Sequence, residues 1–184
     1  MEHLTDEELA ERAGLGDKGA FDRLVTRYWK RIYGYAFMML RSREDAEDVA
    51  QETFLKAFRG RERFEKGRPF APWLYRIATN TCVDEVRSRK KDIARSVDIE
   101  VAARGDDTPP EVYEREETRQ LVREAILELP ETYSQVVYLR YAAGMSYREI
   151  GAALAITEAA VEMRLFRGKR MMRSLLRRSL KWES

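Results

Sequence analysis

The sequence predicts an all-α protein: two small helical domains joined by a flexible acidic linker, the second containing a helix-turn-helix. Three observations carry this reading. No segment alternates apolar and polar residues over a useful length, so strands find no support. Apolar residues instead recur every three to four positions, and the five prolines (Pro69, Pro72, Pro109, Pro110, Pro130) leave long stretches free to be helical. Between Val97 and Glu117 the periodicity lapses around the run Arg104-Gly-Asp-Asp-Thr-Pro-Pro110, a composition that resists regular structure. In a chain of 184 residues this break gives domains over 1–94 and 114–184 and a linker over 95–113.

Helix starts are marked where a hydroxyl precedes a carboxylate by three residues, because the pair satisfies free amides at the first turn. Thr5 with Glu8, Ser42 with Asp45 and Ser146 with Glu149 fit that rule. From Asp17 to Arg41, Phe21, Leu24, Val25, Tyr28, Ile32, Ala36 and Leu40 define one face of a long helix. In the helix after Ser42, Ala46, Val49, Ala50, Phe54, Ala57 and Phe58 face a core. Asp45, Asp48, Gln51, Glu52 and Leu55 then fall on the other side, which by itself reads as a solvated acidic face. The loop Arg63-Phe-Glu-Lys-Gly-Arg-Pro-Phe70 interleaves cations and rings beside a glycine that permits close backbone approach. Trp73, Leu74, Ile77, Ala78 and Cys82 recur helically toward the basic end Arg87-Ser-Arg-Lys-Lys91. Rings that stack on bases beside cations that follow phosphates suit single-stranded DNA. Taken singly, Phe70 and Trp73 read as core residues, and Cys82 as a small buried residue.

In the second half, Ser146 to Thr157 reads as a capped short helix, a tight turn at Ala155-Ile156 and a new N-cap at Thr157, followed by a helix from Glu158 to about Leu180. Ile150 and Leu154 would pack on Val161 and Leu165, leaving the early exposed residues of the second helix for base edges in a major groove. An ordinary αα-hairpin and a basic helix for membranes or calmodulin-like partners share parts of this pattern.

Charge is segregated although its sum is small: 34 Lys+Arg face 32 Asp+Glu. Residues 59–91 carry ten basic against four acidic residues, and 162–184 carry eight against two, so each patch is net +6. Residues 98–131 hold eleven acids against four arginines, net −7. Two positive patches on an acidic tether suit a protein that grips nucleic acid at two places, although charge blocks also simply solvate helices. One histidine (His3), one cysteine (Cys82) and no glycine-rich phosphate loop disfavour nucleophilic, metal and nucleotide chemistry. No cofactor, metal or catalytic residue is expected. The single cysteine allows no intrachain disulfide, no apolar run is long enough for a membrane span, and no signal peptide is evident, so a soluble cytoplasmic protein is expected.

The order of motifs resembles a family. Asp45-Ala-Glu-Asp-Val-Ala-Gln-Glu-Thr-Phe54, Trp73-Leu-Tyr-Arg-Ile-Ala-Thr-Asn80 with Asp84 and Arg87, Leu129-Pro130, Val137-Tyr-Leu-Arg-Tyr141, Ser146-Tyr-Arg-Glu-Ile150 and Val161-Glu-Met-Arg-Leu-Phe-Arg167 are similar to the extracytoplasmic-function (ECF) sigma factors of the sigma-70 family. The resemblance spans nearly the whole chain. It implies that 1–94 is sigma region 2, which binds RNA polymerase core and recognises and melts the minus-ten element, and that 114–184 is region 4, which reads the minus-thirty-five element. It implies core contacts by Asp45, Asp48, Gln51, Glu52 and Leu55 on the beta-prime clamp helices, with the beta flap as a further polymerase contact. It also implies minus-ten contacts by Phe64, Lys66, Arg68, Arg76, Asn80 and Arg87. Minus-thirty-five contacts would come from Thr157, Glu158, Ala160, Glu162, Met163, Phe166, Arg167 and Arg170. Promoter DNA and an anti-sigma factor are the other implied partners, and no enzymatic activity is implied. One departure stands out: Glu162-Met163 occupies a place where such proteins often carry Lys or Arg followed by Ser. The alternatives are a helix-turn-helix regulator that binds duplex DNA without polymerase, and a nucleic-acid enzyme, which would need carboxylates clustered around a metal.

Overall fold

The computed structural model describes residues 4–95 and 115–181. The expected linker, apart from Arg95, lies outside the described residues, as does His3. All regular structure among the described residues is helical: α1 Asp6–Gly14, α2 Lys18–Leu40, α3 Arg43–Gly60, a 3-10 turn Arg61–Arg63, α4 Phe70–Arg95, α5 Arg115–Glu128, α6 Glu131–Tyr141, α7 Tyr147–Leu154 and α8 Glu158–Lys181. No described helix is long and apolar enough to cross a membrane.

Each hydroxyl–carboxylate pair marks a real helix start. Thr5 Oγ1 accepts from the Glu8 amide and Glu8 returns a bond to the Thr5 amide, a reciprocal cap that Ser146 and Glu149 repeat. Ser42 Oγ accepts from the Asp45 amide at 3.4 Å. Losing such a cap costs about 1 kcal/mol, so these short signals fix where the elements begin.

The first half is built around α2, whose Leu24, Ile32, Tyr35 and Ala36 are wholly buried. Full burial of Leu24 and of Ile32 contributes about 1.5–3 kcal/mol each. Small residues on α3, Ala46, Ala50 and Ala57, let it pack closely against α2. α1 is pinned to α2 through Asp6, whose two carboxylate oxygens accept from Arg27 and from the Tyr28 hydroxyl, both at 2.5 Å. Burial and the Asp6 carboxylate together push the Tyr28 phenol well above its ordinary range. Cys82 is buried as expected, and burial raises its thiol to about 12.

Burial on α2 is wider than the expected stripe, since Tyr35 and Met38 are buried too. Tyr35 is covered by α4 and by the second half, whose α6 packs on α2 while α7 packs along α4. α6 is covered on several sides, with Ser134, Gln135, Val136, Val137 and Leu139 all buried, as expected of a helix enclosed by neighbours. Tyr35 Oη bonds Thr79 Oγ1 at 2.9 Å, and its ring meets Tyr75 and Tyr138 edge-on, each with centroids 5.5 Å apart. Among the described residues Tyr75 Oη is the one buried side-chain polar atom with no hydrogen-bond partner. A hydroxyl so placed costs about 1–3 kcal/mol.

Candidate nucleic-acid and protein interfaces

Three surfaces hold the candidate residues. The first is the outer side of α3. Asp45, Asp48, Gln51, Glu52 and Leu55 are spaced three to four residues apart and form one strip opposite the buried Ala46, Val49, Ala50 and Phe54. Asp48, Gln51 and Leu55 are exposed, while Asp45 and Glu52 are half-buried. Glu52 lies 3.9 Å from Lys56, a loose pair on the helix surface. Leu55, 49% exposed, puts an apolar end on an acidic strip, a combination that plain solvation does not require.

The second surface is the loop before α4 and the outer face of that helix. Gly67 has φ +77°, and a Cβ there would meet nothing within 4 Å. The glycine therefore supplies backbone freedom to the turn closed by the Arg68 amide on Glu65 O, and not the close approach expected from sequence. The α4 start is held from a distance, because the Phe70 amide donates to Glu7 Oε1 of α1 at 3.2 Å. Phe64, Phe70 and Trp73 form a ring cluster with centroids 5.4–5.8 Å apart. Phe70 is buried as the core reading expected, whereas Phe64 and Trp73 are half-buried and keep an open side. Lys66 pairs with Glu11 at 3.2 Å and Arg68 with Glu65 at 2.9 Å, both in the open. Arg76, Asn80 and Arg87 are exposed along α4.

A cleft of about 960 Å³ lies beside this loop, at the upper end of what small-molecule pockets occupy. Its lining combines Arg63, Phe64, Trp73 and Arg76 with Ser146 and Arg148 from the start of α7. Sequence reasoning passed over Arg63 and the α7 residues as members of this surface. Arg63 stands in the basic-aromatic loop and was legible there, but nothing local brings Arg148 to it.

The third surface is α8 as presented by α7. Ile150, Val161 and Leu165 are wholly or almost wholly buried and join the two helices as expected; Leu154 is half-buried. Ala155 takes the left-handed conformation at φ 54°, and the Ile156 amide returns to Gly151 O at 3.0 Å. Gly151 is the residue that sequence reading missed: a Cβ there would stand 2.7 Å from Ile156 O. Its signal was a glycine inside an otherwise apolar helix. Gly151→Ala is expected to destabilise the second domain by about 1–3 kcal/mol through overpacking against a backbone atom. Thermal unfolding of the variant measures this, and an unchanged midpoint would contradict the turn geometry.

Thr157 Oγ1 caps α8 by accepting from the Ala160 amide at 3.2 Å. Thr157, Glu158, Glu162, Met163, Phe166, Arg167 and Arg170 are exposed and Ala160 is half-buried. Met163 and Phe166, 50% and 67% exposed, are large apolar side chains between charged ones. Lys169 sits over the Tyr141 ring at 5.6 Å, and a hydrogen bond to the Tyr141 hydroxyl raises its ammonium above the ordinary range. No group of three or more His, Cys, Asp or Glu is placed to hold a metal among the described residues.

Two family models match the chain: sigma-70 region 2 over residues 24–92, and sigma-70 region 4 over residues 119–172. The ECF RNA polymerase sigma factor SigW of Bacillus subtilis is 35% identical over 173 residues, which cover 88% of this chain and 91% of that protein. The ECF RNA polymerase sigma-E factor of Haemophilus influenzae is 36% identical over 180 residues, covering 93% and 95%. Among solved structures, CnrH in complex with the cytosolic domain of CnrY matches with a TM-score of 0.69 at 28% identity, over 93% of this chain and 96% of that one.

Proposed function

The chain belongs to the sigma-70 family as an ECF sigma factor, and from that premise we propose how its three surfaces divide the work of promoter-specific transcription initiation. It is an alternative sigma factor and not an enzyme: it directs RNA polymerase to promoters through binding energy alone. The observation that carries the division is the placement of an acidic strip ending in Leu55, a basic aromatic loop and a helix-turn-helix on separate elements of one chain. A regulator that binds duplex DNA without polymerase has no use for a region 2 half, so that alternative is set aside.

In this reading residues 1–94 act as region 2. Asp45, Asp48, Gln51, Glu52 and Leu55 hold the beta-prime clamp helices, and a contact between region 4 and the beta flap completes the attachment to core. Phe64, with the open side of the Phe64–Phe70–Trp73 ring cluster, receives an unstacked base of the minus-ten element. Lys66, Arg68, Arg76, Asn80 and Arg87 follow the same strand. Extruding a base costs a few kcal/mol, and a site that holds the extruded base offsets that cost, so melting needs no hydrolytic group. Residues 114–184 act as region 4, with Thr157, Glu158, Ala160, Glu162, Met163, Phe166, Arg167 and Arg170 facing the minus-thirty-five element. An anti-sigma factor is the further protein partner of this chain in this reading; CnrH, which is similar to this chain, is solved bound to another protein, the cytosolic domain of CnrY. Core polymerase and promoter DNA place the working protein in the cytoplasm. Core reconstituted with the chain should initiate at promoters that core alone ignores, and no gain over core alone would refute the reading.

Glu162 sharpens the reading of region 4. It is exposed one turn into α8, where a carboxylate accepts well from the cytosine amino group in a major groove. Glu162→Gln and Glu162→Lys are expected to change the preferred base at one minus-thirty-five position by about 1–3 kcal/mol. Titrations on promoters varied one base at a time measure this. A uniform gain in affinity with unchanged base ranking, and a salt dependence steeper by about one unit for Lys, would mean that Glu162 lies by the backbone instead.

A further inference from the structure

We infer that α1, which lies outside every surface assigned above, is the mount of the minus-ten loop, and that Glu7 is a positioning residue for promoter opening. The inference rests on the proposed role of residues 63–76 in taking the melted strand. Glu7, Ala10, Glu11 and Gly14 stand at i, i+3, i+4 and i+7, the spacing of one helix face, and that face of α1 turns toward the loop. Glu7 meets the far end of the loop, Glu11 its middle and Gly14 its beginning. The Phe70 amide donates to Glu7 Oε1 at 3.2 Å, Lys66 pairs with Glu11 Oε2 at 3.2 Å, and a Cβ on Gly14 would stand 3.2 Å from Arg61 O. Between these points Ala10, with Ala13, lines the same small void as Phe64, Phe70 and Trp73. Short side chains on α1 thus form the floor beneath the ring cluster.

Glu7 is the decisive contact because α4 has no local cap. Gly67, Arg68 and Pro69 carry no side-chain acceptor, and Pro69 and Pro72 carry no N–H. The Phe70 amide is satisfied instead from 63 residues away, by a carboxylate that also suits the positive end of the helix. That bond fixes where α4 begins, and with it the place at which Phe64 and Trp73 meet Phe70. Losing a cap shifts the balance between an ordered and a frayed helix start by about tenfold. A loop held ready in about a tenth of the molecules takes its strand about tenfold more weakly. The fold itself does not depend on Glu7. Leu9 is wholly buried, and Asp6 still holds Arg27 and the Tyr28 hydroxyl, so α1 stays on α2 when Glu7 is shortened.

Holoenzymes made with wild type, Glu7→Ala, Glu7→Gln and Asp17→Ala test this by permanganate reactivity of the melted region, beside competition binding to core and footprinting of closed complexes. Glu7→Ala should lower opening about tenfold while core affinity and closed complexes stay within about twofold of wild type. Glu7→Gln keeps an oxygen for the Phe70 N–H and should open promoters within about threefold of wild type, the difference reflecting the missing charge at the helix start. Asp17→Ala controls for stability alone. It removes the α2 cap on the Ala20 amide, at 3.0 Å, without touching the loop, so it should open promoters as wild type does. Because Glu7 acts through the loop, adding Glu7→Ala to Phe64→Ala should cost less than about twofold beyond Phe64→Ala alone. Undiminished opening in Glu7→Ala, an equal loss in Asp17→Ala, or full multiplication of the two losses in the double variant would overturn the positioning role. Undiminished opening in Phe64→Ala would instead reject the assignment of the loop itself, and the positioning role with it.

Discussion

Replacing Asp48 and Glu52 together by arginine is expected to weaken binding to core polymerase by about 100-fold or more while leaving the protein folded. Each change reverses a charge on the strip proposed to meet core, and disrupting a close interfacial charge pair costs about 2–5 kcal/mol. The fold should tolerate it. Asp48 is exposed, and Glu52 has only the loose Lys56 pair at 3.9 Å, a contact worth a few tenths of a kcal/mol on a helix surface. Lys56 keeps its bond to Thr81 Oγ1 at 3.2 Å. Competition binding against wild type measures the affinity, and circular dichroism checks the helices. Undiminished affinity in a folded double variant would remove α3 from the polymerase interface.

The second large effect is expected at the loop before α4, where Arg68→Ala and Phe64→Ala should impair promoter opening more than closed-complex formation. Arg68 is exposed and paired only with Glu65 across 2.9 Å, so its removal costs the fold little. Losing one charge-assisted bond to the melted strand costs about 1.5–3 kcal/mol, or roughly ten- to a hundredfold in open complexes. Phe64→Ala should have a larger effect with a stability cost as well, because that ring packs against Phe70 and Trp73. Permanganate reactivity reports opening, and footprinting of closed complexes reports duplex binding. Equal losses in both would mean that the loop grips duplex DNA and does not act on unstacked bases.

What could be read from the sequence was whatever depends on nearby residues. The caps at Thr5, Ser42, Ser146 and Thr157, the buried stripe of α2 and the pairing of Ile150 with Val161 and Leu165 all follow from spacings of three to fifteen residues. The candidate strip on α3 was legible for the same reason. Long-range partners were not. Nothing around Phe70 announces that Glu7, 63 residues earlier, caps its amide. Nothing around Gly34 announces Tyr138, and so its cover over Tyr35 and the Arg148 wall of the cleft went unforeseen. Gly67 shows the limit of residue type as a guide, since glycine serves close approach at Gly34 and backbone conformation at Gly67, and composition cannot tell the two apart.

The central claim is that one chain reads two separated promoter elements on behalf of core polymerase. Transcription from a promoter library randomised upstream of the start site, using core with and without this chain and sequencing the transcribed templates, tests it most directly. The account predicts two enriched blocks that depend on the chain, near minus ten and minus thirty-five, with Arg68→Ala weakening the first and Glu162→Lys altering the second. A single enriched block, or the same templates transcribed by core alone, would contradict it.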